Sequence, residues 1–326
     1  MSRKLGLILF VAFLVPVLGA CSSEGGGSGG GEEEYPSGNI TLLIPYTAGG
    51  PTDLAGRSVA SYMEEAFGET VVVENQPGAS GSQATNSMLG EAADGQTLMV
   101  FTSGTSVITP LSEDVGYGPE DIAPIGIMTE VPSVLAVRSD SEYESAEDFF
   151  AAAEESPGEL NVGTPGASTP QAIELSRLAD EYQIEVTEVP FQGNAEMTSA
   201  LLGANVDAIL VNASEDIISQ VDSGDFRPLA ITFEERVEYL SETPTLAELG
   251  YEELTLGNSL FALGAPAETP PEVLDELENT LEQALEDEEI LEIIGEEYVP
   301  DEFVGAEELR ERIEEFQTAY EPIVQQ

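Results

Sequence analysis

IPYTAGGPTDLAGR, residues 44–57, joins an apolar strand to a helix through a loop that contains two adjacent glycines. Pro51 at the first helical position and Asp53 in the first turn are ordinary signals of a helix start. The unpaired N–H groups of a helix N-terminus also favour a bound carboxylate or phosphate. The stretch therefore predicts a strand–loop–helix unit, and its loop is either plain helix-start chemistry or part of an anion site.

The same alternation continues along the chain. Strands are predicted at 40–46, 70–76, 97–102, 122–128, 132–138, 159–164, 184–191, 207–212, 226–232 and 260–266. Helices are predicted at 52–67, 84–93, 146–155, 170–182, 195–203 and 216–223. Strand–helix alternation indicates an α/β fold with a parallel sheet and helices on its faces. Leucine and isoleucine at helical spacing predict two further long helices, 269–298 and 306–326, with solvated acidic outer faces.

The N-terminal segment has the features of an export signal. Arg3 and Lys4 precede an uncharged run at 5–18, and small residues precede Cys21. That run is shorter than the roughly 20 residues of a membrane-spanning helix. Because Leu-Gly-Ala-Cys resembles the lipobox of prokaryotic lipoproteins, we expect a signal peptide at 1–20 and lipid attachment at Cys21. The alternative is an ordinary signal followed by a spare cysteine.

Residues 21–36 read as a flexible linker of glycine, serine and glutamate between the lipid and the folded part. The expected location is therefore the outer face of the cell membrane, after export.

The composition excludes several classes of chemistry. The chain has 63 acidic and nine basic residues, and no histidine. Arg3 and Lys4 lie in the signal, so seven arginines and no lysine remain. Histidine-dependent triads and metal sites, Schiff bases and P-loop chemistry are thereby excluded, and nucleic acid is not an expected partner. We expect no metal and no cofactor. A secreted hydrolase with a carboxylate pair stays open, because no pair can be singled out among 63 acids.

A formal net charge of −54 would normally suggest a disordered chain, but 41% hydrophobic content and clear periodicity oppose that interpretation. Concentrated salt offers a better explanation. At about 1 M ionic strength the Debye length is only about 3 Å, so surface acids scarcely repel one another. The composition therefore predicts a halophilic protein.

Four loops occupy equivalent positions, because each follows a predicted strand and precedes a predicted helix. They are 46–53, 76–83, 164–171 and 191–196, and each contains glycine together with hydroxyl or amide side chains. Glycine lets a backbone approach a ligand closely. In open α/β sheets, ligands bind outside the carboxyl ends of the strands. The four loops therefore predict one shared cleft.

The strand-rich stretch 122–140 is where the chain could pass into a second domain, and 257–266 is where it could return. We therefore predict a discontinuous domain I, residues 37–131 and 257–326, and a domain II, residues 132–256.

IPYTAGGPTDLAGR, VVVENQPGASGSQATNSM, PGELNVGTPGASTPQ and VPFQGNAEMTSALLGANVDAIL occur in that order. In this combination the chain resembles the substrate-binding receptors of tripartite tricarboxylate transporters, also called Bug receptors, over essentially all of the mature sequence. The resemblance implies an α/β, two-domain, periplasmic-binding-protein-like fold (Venus flytrap, type II-like) with the ligand cleft between the domains.

It further implies capture of a small organic carboxylate, a di- or tricarboxylate, for a permease with one large and one small integral-membrane subunit, by a monomer without catalytic activity. The implied ligand-binding residues are Tyr46, Thr47, Ala48, Gly49, Gly50, Thr52, Asp53, Ser80, Thr102, Ser103, Thr164, Gly166, Ser168, Thr169, Phe191, Gln192, Gly193 and Asn212.

Two departures from the family pattern are visible in the sequence. Pro51 stands where the family typically has a third glycine, and Phe191-Gln192 stands where it has Tyr-Arg. The second change removes a hydroxyl and a positive charge, so a neutral or zwitterionic ligand also stays open. Arg57, Arg138, Arg177 and Arg227 are candidate charge partners or structural residues. A receptor that presents its ligand to a signalling partner is a further alternative.

Overall fold

A computed structural model describes residues 35–233, 235–254 and 256–324. The predicted signal, Cys21 and nearly all of the linker lie outside these residues. The ten predicted strands are confirmed. Their bounds are β1 (Ile40–Ile44), β2 (Val71–Asn75), β3 (Thr97–Phe101), β4 (Ile122–Val131), β5 (Ser133–Arg138), β6 (Asn161–Thr164), β7 (Thr187–Pro190), β8 (Ala208–Asn212), β9 (Phe226–Ile231) and β10 (Ser259–Pro266).

The strands form two five-stranded sheets. Sheet A has the order β2-β1-β3-β10-β4, and sheet B has the order β7-β6-β8-β5-β9. In sheet A, β1 runs parallel to β2 and β3, whereas β10 is antiparallel to β3 and β4. In sheet B, β6 runs parallel to β7 and β8, whereas β5 is antiparallel to β8 and β9.

Both sheets are therefore mixed, and the expectation of a parallel sheet holds for β1–β3 and β6–β8 but not for the pairs made by β10 and β5. The physical reason is that the chain leaves sheet A through β4 and comes back through β10. An outgoing and a returning strand that lie side by side are antiparallel, like the two arms of a hairpin. The strands β5 and β9 stand in the same relation in sheet B.

Helices occupy the connections between strands. Their bounds are α1 (Pro51–Phe67), α2 (Ser82–Leu89), α3 (Thr109–Ser112), α4 (Ala146–Glu155), α5 (Pro170–Tyr182), α6 (Asn194–Leu202), α7 (Glu215–Asp222), α8 (Pro271–Leu285), α9 (Glu288–Ile294) and α10 (Ala306–Val324). A π-helical turn, Gly104–Ile108, leads into α3 and was not predicted.

The single long helix predicted at 269–298 is also wrong, because the chain breaks after Leu285. The Asp287 carboxylate accepts hydrogen bonds from the N–H groups of Glu289 and Ile290, which starts α9 as a new helix. Aspartate is a strong N-cap residue, and here it stops one helix and begins the next.

Four apolar clusters cover the two faces of each sheet. On sheet A, α1, α8 and α9 pack on one face, and α2 and α10 pack on the other. On sheet B, α4 and α5 pack on one face, and α6 and α7 pack on the other. Strands covered on both faces become continuous apolar runs, as the fully buried β8 and β10 show. Fully burying one Leu or Val side chain contributes about 1.5–3 kcal/mol, so these layers fix the strand ends in space.

Sheet A with its helices is called half A below, and sheet B with α4–α7 is called half B. The chain crosses from A to B between Val131 and Ser133, and the return crossing ends where β10 begins at Ser259. The domain boundaries given above stay a prediction. Within the described residues, no helix is long and apolar enough to cross a membrane.

Candidate functional site

A cleft lies where loops of half A meet loops of half B. The empty space between its walls is about 420 Å³, part of it open to solvent. Its lining residues come from both halves: Tyr46, Thr47, Gly50, Pro51, Thr52, Thr102, Pro165, Thr169, Pro170, Gln171, Gly193, Asn194, Asn212, Ser259 and Phe261.

The β1–α1 loop is organised by the carboxylate of Asp53. Asp53 accepts hydrogen bonds from the Gly49 N–H at 3.0 Å, from Arg57 Nε at 2.9 Å and from Asn75 Nδ2 at 2.9 Å. Asn75 Nδ2 also donates to the Tyr46 carbonyl at 3.1 Å, which fixes the start of the same loop. Asp53 therefore shapes the loop from behind, and it is not among the described residues that line the cleft.

Burial by itself would raise the pKa of Asp53. The hydrogen bonds from Arg57, Gly49 and Asn75 outweigh burial and hold the pKa of this carboxyl below its usual range. The carboxyl group is therefore ionised, and its charge is neutralised by Arg57 and by hydrogen bonds within the loop.

All four candidate arginines are engaged away from the cleft. Arg57 pairs with Asp53, and Arg138 pairs with Asp140 at 2.8 Å. Arg227 donates to three backbone carbonyl groups of 139–143. Arg177 contacts the carboxylates of Glu174 and Glu181. These arginines have structural roles in the described part of the molecule.

Three helices begin at the cleft, and two of them have no side-chain cap in the described structure. The N-cap residue of α1 is Gly50, and that of α6 is Gly193, which has a φ of 136°. Such a φ is readily available only to glycine. The first N–H groups of a helix have no intrahelical partner, so both helices present unpaired donors and the positive end of a dipole to the cleft.

The third helix, α5, is capped by Thr169. Its hydroxyl accepts a hydrogen bond from the Ala172 N–H at 3.4 Å and donates to the Gly166 carbonyl at 2.8 Å. Pro170 occupies the first helical position, so the Gln171 N–H is the first donor of α5. The cap orders the 164–169 loop while leaving the helix start at the cleft wall.

Tyr46 contributes a neutral donor. Burial raises the pKa of its phenol, and a hydrogen bond with the Thr102 side chain lowers it by less. The phenol therefore stays protonated at any physiological pH and can donate a hydrogen bond without adding charge.

Hydrogen bonds also join the two halves. The Gln192 carbonyl accepts from the Thr47 N–H at 3.3 Å and from Thr47 Oγ1 at 3.2 Å, next to the cleft. On its floor, Gln171 Nε2 of half B donates to Ser259 Oγ of half A at 3.1 Å. The described structure is therefore one in which the cleft walls touch.

Some of the predicted site residues meet in the cleft and others do not. Those that line it are Tyr46, Thr47, Gly50, Thr52, Thr102, Thr169, Gly193 and Asn212. Those placed outside the lining are Ala48, Gly49, Asp53, Ser80, Ser103, Thr164, Gly166, Ser168, Phe191 and Gln192.

Two of the second group have identifiable partners. The Thr164 hydroxyl donates to Glu188 at 2.6 Å. Gly49 holds Asp53, as described above. These residues support the loops around the cleft.

Seven lining residues were not predicted: Pro51, Pro165, Pro170, Gln171, Asn194, Ser259 and Phe261. Gln171 and Asn194 stand in two of the loops singled out from the sequence, so their amides could have been included. Ser259 and Phe261 belong to β10, and only the return of this strand into sheet A places them there.

The lining has no formal charge among the described residues, in a protein with 63 acids. No group of three or more metal-ligating side chains occurs in the described ranges either. The cleft thus offers hydroxyl, amide and N–H donors to a ligand. The positive ends of helix dipoles stand there instead of charged side chains.

Two α/β halves with mixed sheets and a cleft between them define a periplasmic-binding-protein-like solute-binding protein. Residues 55–326 match the model of the tripartite tricarboxylate transporter family receptor, and the chain belongs to this family. The predicted family and fold class are confirmed. The chain is thus an extracytoplasmic solute-binding receptor and not an enzyme, which excludes the hydrolase alternative.

Relatives and solved structures agree with this membership. The chain is 30% identical to Protein BugT of Bordetella pertussis over 285 residues, 86% of each chain. It matches the structure of the periplasmic binding protein BugD with a TM-score of 0.82 and 26% identity, covering 89% of this chain and 98% of that one. It matches R. palustris Rpa4515 with adipate at a TM-score of 0.82 and 28% identity, covering 90% and 98%.

Proposed function

We propose that this receptor captures a small organic carboxylate, of the di- or tricarboxylate class, in the cleft between halves A and B. The observation that carries the proposal is the convergence of three helix N-termini, α1, α5 and α6, on an uncharged lining rich in donors. Helix N-termini are ready-made sites for anions. The adipate in the structure of Rpa4515 supports the same ligand class.

Neutral donors suit this chain for a physical reason. An anion approaching a surface of net charge −54 is repelled at long range, and salt screens that repulsion. The dipoles and N–H groups at a helix end act within the first turn, so they hold the anion only once it is inside. A partly desolvated cleft strengthens these interactions further.

The loops that carry the site lie in both halves, so binding and closure are one event in this proposal. Domain I (37–131 and 257–326) and domain II (132–256) close on the ligand about the two crossings near 132 and 258. Gly166, Ser168 and the other predicted residues outside the lining position the loops in the closed form.

The wider setting follows from the same family. A lipid on Cys21 anchors the exported monomer to the outer face of the cell membrane, and the 21–36 linker gives it reach. The loaded receptor then delivers its ligand to a permease with one large and one small integral-membrane subunit. The acidic surface adapts the protein to brine.

Thermal unfolding of the full chain in concentrated KCl tests the ligand class. Citrate, succinate, malate and adipate are each compared with the corresponding amides. A ligand that binds only the folded state adds about 2.7 kcal/mol at 100 times its dissociation constant, which raises the unfolding temperature. We expect a shift with at least one acid and none with its amide. A folded protein that responds to no acid would contradict the proposal.

A further inference from the structure

Gln171 occupies an unusual position on the floor of the cleft. Its side chain is 1% exposed. Its Nε2 donates to Ser133 Oγ at 2.7 Å, to Asn212 Oδ1 at 2.8 Å and to Ser259 Oγ at 3.1 Å. Two amide hydrogens thus serve three oxygens, so the donor end of this amide is saturated.

The direction of the amide is fixed by Ser133. The Ser133 hydroxyl donates its single hydrogen to the Gly257 carbonyl, so it can only accept from Gln171. The atom that faces Ser133 is therefore Nε2 and not Oε1. Gln171 Oε1 is buried and has no hydrogen-bond partner among the described residues.

Two of the three partners of Nε2 lie at the two crossings between the halves. Ser133 is the first residue of β5, immediately after the crossing from sheet A. Ser259 is the first residue of β10, immediately after the return crossing. One amide thus links the cleft floor to both places where the chain passes between halves.

We propose that Gln171 is a specificity-determining residue that reads a hydroxyl group on the ligand through Oε1. The proposal rests on the carboxylate function given above and names the ligand class more closely as a hydroxycarboxylate. A carboxylate has only acceptor atoms, and it cannot satisfy a carbonyl oxygen. The acceptor therefore marks the part of the cleft that takes a donor group.

A hydroxyl fits this position better than an ammonium group. The lining of the cleft holds no acid among the described residues, so a buried ammonium would lack an ionic partner there. A hydroxyl satisfies Oε1 without bringing charge. A ligand without a donor leaves the buried oxygen unpaired, and sites built to hydrogen-bond a hydroxyl reject such ligands.

Matched ligand pairs that differ by one hydroxyl test the inference by titration calorimetry on the full chain. The pairs are malate and succinate, 2-hydroxyadipate and adipate, and citrate and tricarballylate. In the wild-type protein we expect the hydroxyl member of the bound pair to bind about five- to tenfold more tightly. Gln171→Met should bring that ratio close to one. Gln283→Met, the same change on the exposed face of α8, should leave the ratio as in the wild type.

The outcomes separate this inference from the general function. Equal binding within a pair overturns the role of Gln171 while the carboxylate receptor stands. Binding of no carboxylate overturns the function itself. Tighter binding of aspartate than malate shows that the donor is an ammonium group and overturns the hydroxyl assignment.

A measurement on the wild-type protein alone covers the case in which Gln171→Met does not fold. Methoxysuccinate keeps the oxygen of malate but cannot donate a hydrogen bond. It should bind no more tightly than succinate, and binding at the level of malate overturns the proposal.

Discussion

The outer face of helix α10 carries many charged side chains, whereas the wall of the cleft carries none among the described residues. On α10, Arg312 pairs with Glu308 and Glu130, and further acids of the helix are exposed to solvent. In the cleft, three helix starts and their neighbouring loops bring together hydroxyl, amide and N–H groups without one charged side chain among the described residues. Exposed ion pairs are individually worth about 0–1 kcal/mol, so the outer charges act mainly on solubility.

The comparison indicates that the sign of the charge on the protein surface does not decide which ligands the cleft can bind. The acids on the outside set the long-range electrostatic field, and salt screens this field at distances beyond about one Debye length. Short-range dipoles are set by where helices begin. A strongly acidic protein can therefore hold an anion without a cation in the site.

The strongest test of this difference is a substitution that adds an acidic side chain to the lining of the cleft. Thr52 is 4% exposed, lines the cleft and holds the second position of α1. In Thr52→Asp the new carboxylate suits a helix start but repels a bound carboxylate by several kcal/mol. We expect ligand affinity in calorimetry to fall about a hundredfold or more. The unfolding temperature should fall as well, because a carboxylate at this 4% exposed position is buried without a cationic partner.

Thr318→Asp is the matched control, because it adds the same charge on the exposed face of α10. Its affinity should stay close to that of the wild type. Equal losses in the two variants would show that net charge, rather than charge in the cleft, governs binding.

Glu174 is an acid inside the protein, and it tests what burial of charge costs. Its side chain is 2% exposed, and its carboxylate lies 3.3 Å from Arg177. Burial raises its pKa from an ordinary 4.5 to about 7, against the opposing effects of Arg177 and of the N–H groups of Leu256 and Gly257. The folded state therefore binds more protons than the unfolded state between these two values.

The free energy of unfolding should accordingly fall as pH rises from about 4.5 to about 7, by about 2–3 kcal/mol from this group. Glu174→Gln should remove that fall, so the difference between variant and wild type grows with pH in denaturant titrations. Glu155→Gln, near the exposed end of α4, should keep the wild-type slope. Parallel curves for Glu174→Gln and the wild type would contradict a cost of buried charge.

The smallest expected effect is that of salt on binding. Raising KCl should increase the free energy of unfolding, because screening relieves repulsion among the surface acids. The dissociation constant should change by less than about threefold, and it should not rise, since helix ends hold the ligand at short range. Calorimetry over a KCl series measures both. An affinity that weakens steeply with salt would indicate a cationic partner in the site.

The sequence was a good guide to the elements and a poorer guide to their arrangement. Apolar runs and glycine-rich loops placed every strand, and the helices of half B began within one residue of their predicted starts. The antiparallel β4–β10 and β5–β9 pairs could not be predicted, because direction depends on contacts far apart in the sequence. The break at Asp287 was missed because helical periodicity continues on both sides of it.

The site shows the same division. Tyr46, Thr52 and Gly193 follow strands and precede helices, so local pattern was enough to place them at the cleft. Asp53 occupies the same loop, but its three hydrogen bonds hold its carboxylate behind the loop, outside the lining of the cleft. Whether a loop side chain faces a cleft or its own backbone depends on such contacts, which spacing does not reveal.

The place of β10 in sheet A also sets an order in which the chain can fold as it is made and exported. The five strands of sheet B come from one continuous stretch, from Ser133 to Ile231. Sheet A contains β10 between β3 and β4, so β4 can join β1–β3 only through a strand that follows all five strands of sheet B. Pairings so distant in sequence form slowly. Half A, which begins first in the chain, is therefore the half that is completed last.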